Sequence, residues 1–584
     1  MRPLLSARFL AALFAALMAA TGLAPGTASV TTAPAHGVHA KSASPVPQVV
    51  RHRGEAGYAV QSAAALKAGR SSKGRRAIFR GGLRAPSTST GTATATPSTR
   101  TALVPAPRPG LFTALTKPGM DAAGNPFQAT PPDSTGAIGP NNYVEMDNSN
   151  IAVYDRNLNL SSSVSLNAFS GSSLDFCDVQ VEWDAAAGRY LFAFLMCDFT
   201  QPMQFQVFGW SKTSDPTNLS TGPLGGWCLF AFNNSHYLFD YDKLGHSSQF
   251  MVIGGNFYNT SFPSLPFVSA GMEWAKLPGN GDTSCTLPAV AGVTPLSPSL
   301  KNGDGTVAFT PVPVNTTSNA SDVWIVAAAD PAGNVPPGTP RNLVAAWDLD
   351  SAGTLHARAD IPVALYDTPT PAQQLGGTPT TYLLDTLDAR LTQAVGNPND
   401  GIYTQHTVKD SAGRSEVEWY EFKQSGANLV LIQQGVIDTA SSWTFNAAIS
   451  PRYDGLGAAI FYNVSSATTH PSIQAQIRTS TTPDDTFLPG VLTLATSPAA
   501  VKETLSCNVS GFPCRWGDYS GASPDPVNHA VVWGTNMFNT AATTVPAWSD
   551  ENFAVGITQS PPAPSPPARP SVNPAPSATP PARP

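Results

Sequence analysis

The sequence predicts an all-β fold, a β-propeller of seven four-stranded blades, with six or eight as the neighbouring solutions. Three observations carry that prediction. First, Pro (55) and Gly (48) are abundant, while charged residues make up only 12% of 584. Such a chain turns often and builds short elements rather than long, charge-faced helices. Second, one unit recurs: an Asp/Gly/Asn turn that opens a short apolar strand. Third, the strand that follows is often alternating, as in Glu416-Val-Glu-Trp-Tyr-Glu-Phe422, with no helix-length segment between units. One sheet unit repeated without helices reads as a propeller, a solenoid or a sandwich pair. Tandem sandwiches are the outlying alternative.

Five copies of the unit are explicit. Gly136-Ala-Ile-Gly-Pro-Asn-Asn leads into Tyr143-Val-Glu-Met, and Asp184-Ala-Ala-Ala-Gly into Arg189-Tyr-Leu-Phe-Ala-Phe. Asp242-Lys-Leu-Gly-His-Ser-Ser leads into Gln249-Phe-Met-Val-Ile, Asp454-Gly-Leu-Gly into Ala458-Ala-Ile-Phe-Tyr, and Asp525-Pro-Val-Asn into His529-Ala-Val-Val-Trp. Two looser copies surround Asp322-Val-Trp-Ile and Ile402-Tyr-Thr-Gln. Seven units over residues 111–560 give about 64 residues each, long for a blade but compatible with insertions such as 286–305 and 361–382.

The flanks differ in texture. Arg2 and Arg8, an apolar run from Phe9 to Ala20 and a small-residue exit make 1–28 a secretory signal peptide, with Ala28 or Ala40 as the exit. Residues 29–110 form a basic, low-complexity leader, in which Lys73-Gly-Arg-Arg76 offers a processing site or a plain solvated linker. Residues 111–560 are the propeller domain. Residues 561–584 form a disordered tail with 11 prolines in 24 positions, stiff and extended, suited to a spacer or a wall-crossing segment.

Net charge separates the parts. Segment 41–110 carries 12 − 1 = +11, whereas 111–560 carries 17 − 38 = −21. An acidic body excludes nucleic-acid binding through phosphate contacts. The six cysteines of an exported chain imply disulfides, for which 15 pairings exist. Cys177 and Cys197 flank a predicted hairpin, Cys507 and Cys514 bracket a short loop, and Cys228 and Cys285 remain. No C-x-x-C pair or His cluster suggests a metal centre. Calcium is the one cofactor that an acidic body would suit, although no D-x-D-x-D-G loop is present.

Pro132-Asp-Ser-Thr-Gly-Ala-Ile-Gly-Pro-Asn-Asn-Tyr-Val, with Asn150-Ile-Ala-Val-Tyr-Asp155 behind it, resembles the opening of a group of uncharacterised secreted bacterial β-propeller proteins. Asp240-Tyr-Asp-Lys-Leu-Gly, Leu387-Asp-Ala-Arg390, Trp419-Tyr-Glu421 and the Arg515-Trp-Gly-Asp-Tyr-Ser520 motif fit the same group. The likeness covers about 130–540 and is distantly similar to sialidase-type propellers. It implies a propeller and export, and no particular reaction. The sialidase pattern itself is missing: there is no Ser-x-Asp-x-Gly-x-Thr-Trp box and no three-arginine clamp with a Tyr nucleophile.

Glycoside cleavage needs two carboxylates, or a Tyr with its base, in one pocket. Asp133, Asp240, Asp388 and Asp518 are the acids that a ring of loops would bring to an axial mouth, with Arg390 and His406 beside them as further catalytic candidates. Asp at turns more often caps backbone N–H groups, and a His inside an alternating strand more often satisfies the core. Arg515, Trp516, Asp518 and Tyr519 form the candidate ligand-binding group. The same Arg515–Asp518 pair suits fastening the last blade to the first, and its place in the final turn favours that role. Trp210, Trp227, Trp274, Trp443 and Trp548 suit sugar stacking or blade packing. The sequence therefore predicts a secreted, monomeric, extracellular module that binds a glycan or protein, without a transmembrane segment. The alternative is a glycoside hydrolase or lyase of sialidase-like architecture.

Overall fold

The computed structural model describes residues 112–557 apart from 126–128, 199–200, 202, 223, 263–264, 332–338, 438 and 508–512. It also describes two short paired strands, Val50–Arg51 and Ala59–Val60. The chain divides into two units, 1–44 and 45–584, and every described residue belongs to the second. The signal peptide, the Lys73–Arg76 site, nearly all of the leader and the Pro-rich tail lie outside the described residues.

The second unit is an all-β propeller in which five sheets stand as separate blades. Four strands each make up the blades 135–165, 176–233 and 443–496. The sheet 312–366 has five strands. The last blade combines Gly521–Pro524, Val531–Asn539 and Trp548–Ile557 with the N-terminal strand Phe112–Asp121. A nine-stranded sheet holds two further meanders, 237–293 and 391–437, joined through Asn315–Thr316, which pairs parallel with the first strand of each. The only α-helix among the described residues is the single turn Leu166–Ser170.

Period-two alternation explains why the repeated strands read as continuously apolar. Arg189–Met196 is buried along its whole length. Its even members Tyr190, Phe192, Phe194 and Met196 pack toward the blade before, and Leu191 and Ala193 toward the blade after. Gly457–Ser466 does the same, with Ala458, Ile460 and Tyr462 on one side and Ala459 and Phe461 on the other. A strand squeezed between two neighbours has no solvent face, so both faces must be apolar. The recurring turn of the sequence therefore marks the step from the first to the second strand of a blade.

The ring is closed by strand pairing. Phe112–Asp121 lies antiparallel to Trp548–Ile557, from Phe112 opposite Ile557 to Asp121 opposite Ser549. Close approach of first strands at the axis requires small residues. A Cβ at Gly245 would sit 2.5 Å from the Pro313 carbonyl carbon, and one at Gly521 would sit 2.6 Å from Gly136 N, both far inside contact distance.

Three disulfides join Cys177 to Cys197, Cys228 to Cys285 and Cys507 to Cys514. Among the described residues no helix is long and apolar enough to cross a membrane. Neither predicted insertion is a plain excursion. Segment 286–305 supplies the outer strand Val290–Val293. Segment 361–382 opens with the strand Ile361–Tyr366, and the chain then runs on to place Leu387 against Tyr241 and Tyr519.

Candidate functional site

Where the first strands begin, the backbone repeatedly takes a left-handed turn at residues other than glycine. These are Asp133 (φ 48°), Asp178 (50°), Tyr241 (58°), Thr310 (48°), Leu387 (64°), Ala389 (71°) and Asn446 (47°). Pairing register breaks at the same places, between Cys177 and Gln180, Asp240 and Lys243, Leu391 and Ala394, and Phe445 and Ala448. Such conformations cost of order 1 kcal/mol each and persist only where the surroundings hold them. A bulge suspends strand alternation. As a result, the four consecutive residues Asp240, Tyr241, Asp242 and Lys243 are all buried, at 2%, 0%, 0% and 1% exposure.

These starts converge on one charged cluster. Aromatic and cationic groups alternate through it: Phe309, Arg390, Tyr241, Lys243, Tyr519. The Arg390 guanidinium lies 4.7 Å from the Phe309 ring centre and 4.2 Å from that of Tyr241. Lys243 Nζ lies 3.9 Å from Tyr241 and 3.2 Å from Tyr519. Such contacts strengthen when water is excluded. Arg390 donates Nε and Nη2 to Asp388 at 2.6 and 2.5 Å. Arg515 Nη2 donates to both oxygens of Asp518 at 2.6 Å, and Nη1 lies 3.6 Å from Asp385. Asp518 N–H donates to Asp133 Oδ1 at 2.7 Å, Asn148 Nδ2 to Asp133 Oδ2 at 2.8 Å, and Tyr241 OH to the Asp518 carbonyl at 2.8 Å. Tyr241 N–H reaches Asp178 Oδ2 at 3.3 Å.

Seven aspartates (133, 178, 240, 242, 385, 388, 518) thus surround three cations, an excess of 7 − 3 = 4 acids. Burial pushes the carboxyls up: Asp133 to about 6, Asp518 to about 7 and Asp178 to about 8, with Asp242 also raised. Burial pulls Lys243 down to about 7. The low-dielectric interior disfavours each charged form. Lys243 Nζ and the Tyr519 hydroxyl are buried and have no hydrogen-bond partner among the described residues. The group holds acids, an amine and phenols suited to proton transfer, but its carboxyls are buried, except for the half-buried Asp385.

The structure brings Asp133, Asp240, Asp388, Arg390, Arg515, Asp518 and Tyr519 into this cluster. Asp240 is placed by its charge interaction with Asp178. Two candidates lie elsewhere. Trp516 is fully buried against Phe445, Cys514 and Met537, and donates Nε1 to Asn463 Oδ1 at 2.9 Å. His406 contacts Tyr420 OH (2.9 Å), the Ala389 carbonyl (2.8 Å) and Glu418 (3.4 Å) within the core of the 391–437 meander. Trp210, Trp227, Trp274 and Trp548 are buried and Trp443 half-buried, so none presents an open stacking face. The strand pairing of Phe112–Asp121 with Trp548–Ile557 closes the ring, and Arg515 acts on Asp133 by its charge. Asp518 contributes one backbone bond to Asp133 across the seam. Asp178, Tyr241, Asp242 and Lys243 were missed as site residues because single acids and a bulged strand leave no periodic mark. Among the described residues no group of three or more His, Cys, Asp or Glu side chains is arranged to hold a metal ion.

A second acid group sits at the ring seam. Glu145, Asp147 and Asp550 are all fully buried, and no Arg, Lys or His pairs with them among the described residues. Glu145 accepts from Tyr154 OH (2.6 Å), Asn552 Nδ2 (2.7 Å) and Met120 N–H (3.2 Å), so it ties the first blade to both closing strands. Burial raises all three carboxyls.

The open feature lies at the other end of the first strands. Six residues separate Asp178 from Asp184, about 20 Å of strand. Beyond Asp184, a cleft of about 530 Å³ is lined by Ala186, Ala187, Ser248, Gln249, Lys276, Leu277, Pro278, Gly279, Asn280 and Asn319. The lining contains amides, a hydroxyl and one ammonium, and no carboxylate. Asp184 Oδ1 caps Ala186 and Ala187 N–H at 2.9 and 3.0 Å, and Asn280 Nδ2 donates to the Ala186 carbonyl at 3.1 Å. Arg189 donates to the Gly279 and Asp282 carbonyls at 3.4 and 3.3 Å, which fixes the cleft wall.

Fold and site together define a disulfide-linked β-propeller with a charged, largely buried cluster where its first strands begin and a polar cleft holding one ammonium beyond their other end. No family model and no curated relative matches the sequence. Among solved structures, the chain is similar to an ACO/RPE65 chimera (11% identity, TM-score 0.34, 62% of this chain and 71% of that one). It is also similar to Trypanosoma rangeli sialidase in complex with sialic acid (10%, 0.33, 73% and 59%) and to endo-1,5-alpha-L-arabinanase from Thermotoga petrophila (8%, 0.26, 73% and 98%). These likenesses carry no inference about activity.

Proposed function

We propose that the protein is a secreted, seven-bladed propeller that binds an extracellular glycan and does not cleave it. Seven blades follow if the nine-stranded sheet is two blades bridged by Asn315–Thr316. Support comes from the meanders 237–293 and 391–437, each of which packs apolar side chains against both neighbours as the separate blades do. Export is supported by the signal-like N-terminus and three disulfides.

One observation carries the choice of binding over cleavage: the acids and the open space are in different places. Hydrolysis of a glycoside needs carboxylates that touch the substrate. Here six of the seven convergent acids are buried and Asp385 is half-buried, while the polar side chains lining the cleft that a sugar could enter are Ser, Gln, Asn and Lys. Side-chain amides and hydroxyls pair readily with sugar hydroxyls. A glycan array probed with the secreted full chain, beside a fluorogenic glycoside panel, tests the reading. Binding without turnover is expected, and Asn319→Ala with Asn280→Ala weakens it. Turnover that disappears in Asp178→Asn or Asp518→Asn would replace this reading with the hydrolase one.

A further inference from the structure

We infer that the cleft selects an anionic sugar, with Lys276 as the residue that receives its negative group. The inference rests on the glycan-binding reading and names the ligand class within it. It begins from a charge anomaly. The propeller segment carries −21, and eight of its 17 Lys and Arg residues are ion-paired with acids among the described residues, among them Arg156 with Asp525, Arg341 with Asp304, Arg358 with Asp348, Lys409 with Asp367, Arg414 with Asp410 and Arg452 with Asp454. Lys276 is exposed, and its side chain has no ion-pair or hydrogen-bond partner among the described residues. It stands at the end of Phe267–Lys276 and lines the cleft, whose lining contains no acid.

The surroundings favour a ligand over an accidental gap. Three further side chains in the lining, Ser248, Gln249 and Asn319, also have no side-chain partner among the described residues, although their backbones are well fixed. Ser248 N–H donates to the Ala320 carbonyl at 2.8 Å, and Gln249 N–H to Ser247 Oγ at 3.1 Å. The neighbouring acids are turned to other tasks. Asp184 caps its own turn beneath the cleft, and Asp282 accepts from Ser284 N–H at 2.8 Å. The Arg189 guanidinium behind the Gly279 wall faces the charges of Asp184 and Asp282. Neutral amides for hydroxyls and one unpaired ammonium for a negative group are what an oligosaccharide with a single carboxylate or sulfate requires. A lysine is a point charge and does not by itself distinguish the two.

The test uses the full secreted chain on an array with three matched arms: neutral, uronate-bearing and sulfate-bearing oligosaccharides of equal length. At low salt at least one anionic arm is expected to bind about tenfold more tightly than its neutral counterpart. That preference falls to about onefold in Lys276→Ala, persists in Lys276→Arg, and shrinks as salt rises. Lys276 is exposed, so the unfolding midpoint stays unchanged and reports intact folding. Equal binding to all arms, or a preference that survives Lys276→Ala, overturns the inference and leaves the glycan-binding reading standing. Binding to no arm overturns both.

Discussion

The axial cluster and the ring seam both bury acids completely, but they deal with the charge differently. At the axis, Asp388 and Asp518 face guanidinium groups at 2.5–2.6 Å, and Lys243 and Arg390 are held against aromatic rings. At the seam, Glu145, Asp147 and Asp550 meet amides, hydroxyls, backbone N–H groups and one another, with no cation among the described residues. An isolated buried carboxylate is prohibitively unfavourable, so a group without a cation must keep its proton. The difference assigns two roles. Ion pairs fix the geometry where several loops meet. Protonated acids hold the seam in a way that responds to pH.

The largest effect that sharpens this contrast is expected at Arg390. Arg390→Met leaves Asp388 buried without its fork and removes the cation between Phe309 and Tyr241. Losing one partner of a buried pair costs about 3–5 kcal/mol. Urea unfolding reads this as a lower midpoint at unchanged slope. Glu145→Gln at pH 6 keeps a neutral group of the same shape and is expected to cost less than about 1.5 kcal/mol, the scale of a single neutral hydrogen bond. Equal losses at the two sites would erase the distinction.

The second expectation concerns pH. The seam carboxyls have folded pKa values raised by burial, above the ordinary value of 4.5 for Glu145 and 3.8 for Asp147 and Asp550. Above those ordinary values the unfolded chain has lost protons that the folded seam still holds. Stability from the seam is therefore complete below about pH 4 and falls as pH rises toward the folded values. Each retained proton contributes a slope of about 1.4 kcal/mol per pH unit inside that window. Glu145→Gln should flatten the decline measured as melting temperature from pH 5 to 9. An unchanged slope would mean that Glu145 is not one of the groups that hold a proton.

The ring was largely legible in the sequence, and the charged cluster only in pieces. The turn before the second strand repeats because the same job recurs in several blades. Asp184, Asp454 and Asp525 all cap the backbone N–H groups of their own turns. The apolar strands that follow are doubly buried and so keep one composition. At the other end of the axis each loop contributes something different: an Asp at 133, a Tyr–Asp–Lys at 241–243, an Asp–Ala–Arg at 388–390. Complementarity there lies between loops far apart in the chain, such as Asp133 and Asp518, and no local pattern records it. Trp516 shows the opposite error. It stands beside Arg515 and Asp518 in sequence, yet local alternation sends its ring into a separate core with Asn463.

The smallest effect is expected at Lys243, and it is the most telling about the axis. Its ammonium has no hydrogen-bond acceptor among the described residues and lies between two Tyr rings, and burial lowers its pKa to about 7 from the ordinary value of 10.5. Between those values the unfolded chain binds a proton that the folded site does not, so the Lys243 contribution to stability rises as pH increases from about 7 to 10. Met has similar length, fits an aromatic slot and carries no charge to desolvate. Lys243→Met is therefore expected to change stability at pH 7 by less than about 1 kcal/mol, well below Arg390→Met, and to lag behind the wild type progressively as pH is raised to 10. A loss as large as that of Arg390→Met would make Lys243 an ion-pair anchor for Asp178 and Asp242, and the axis would then hold its excess acids by charge rather than by protons.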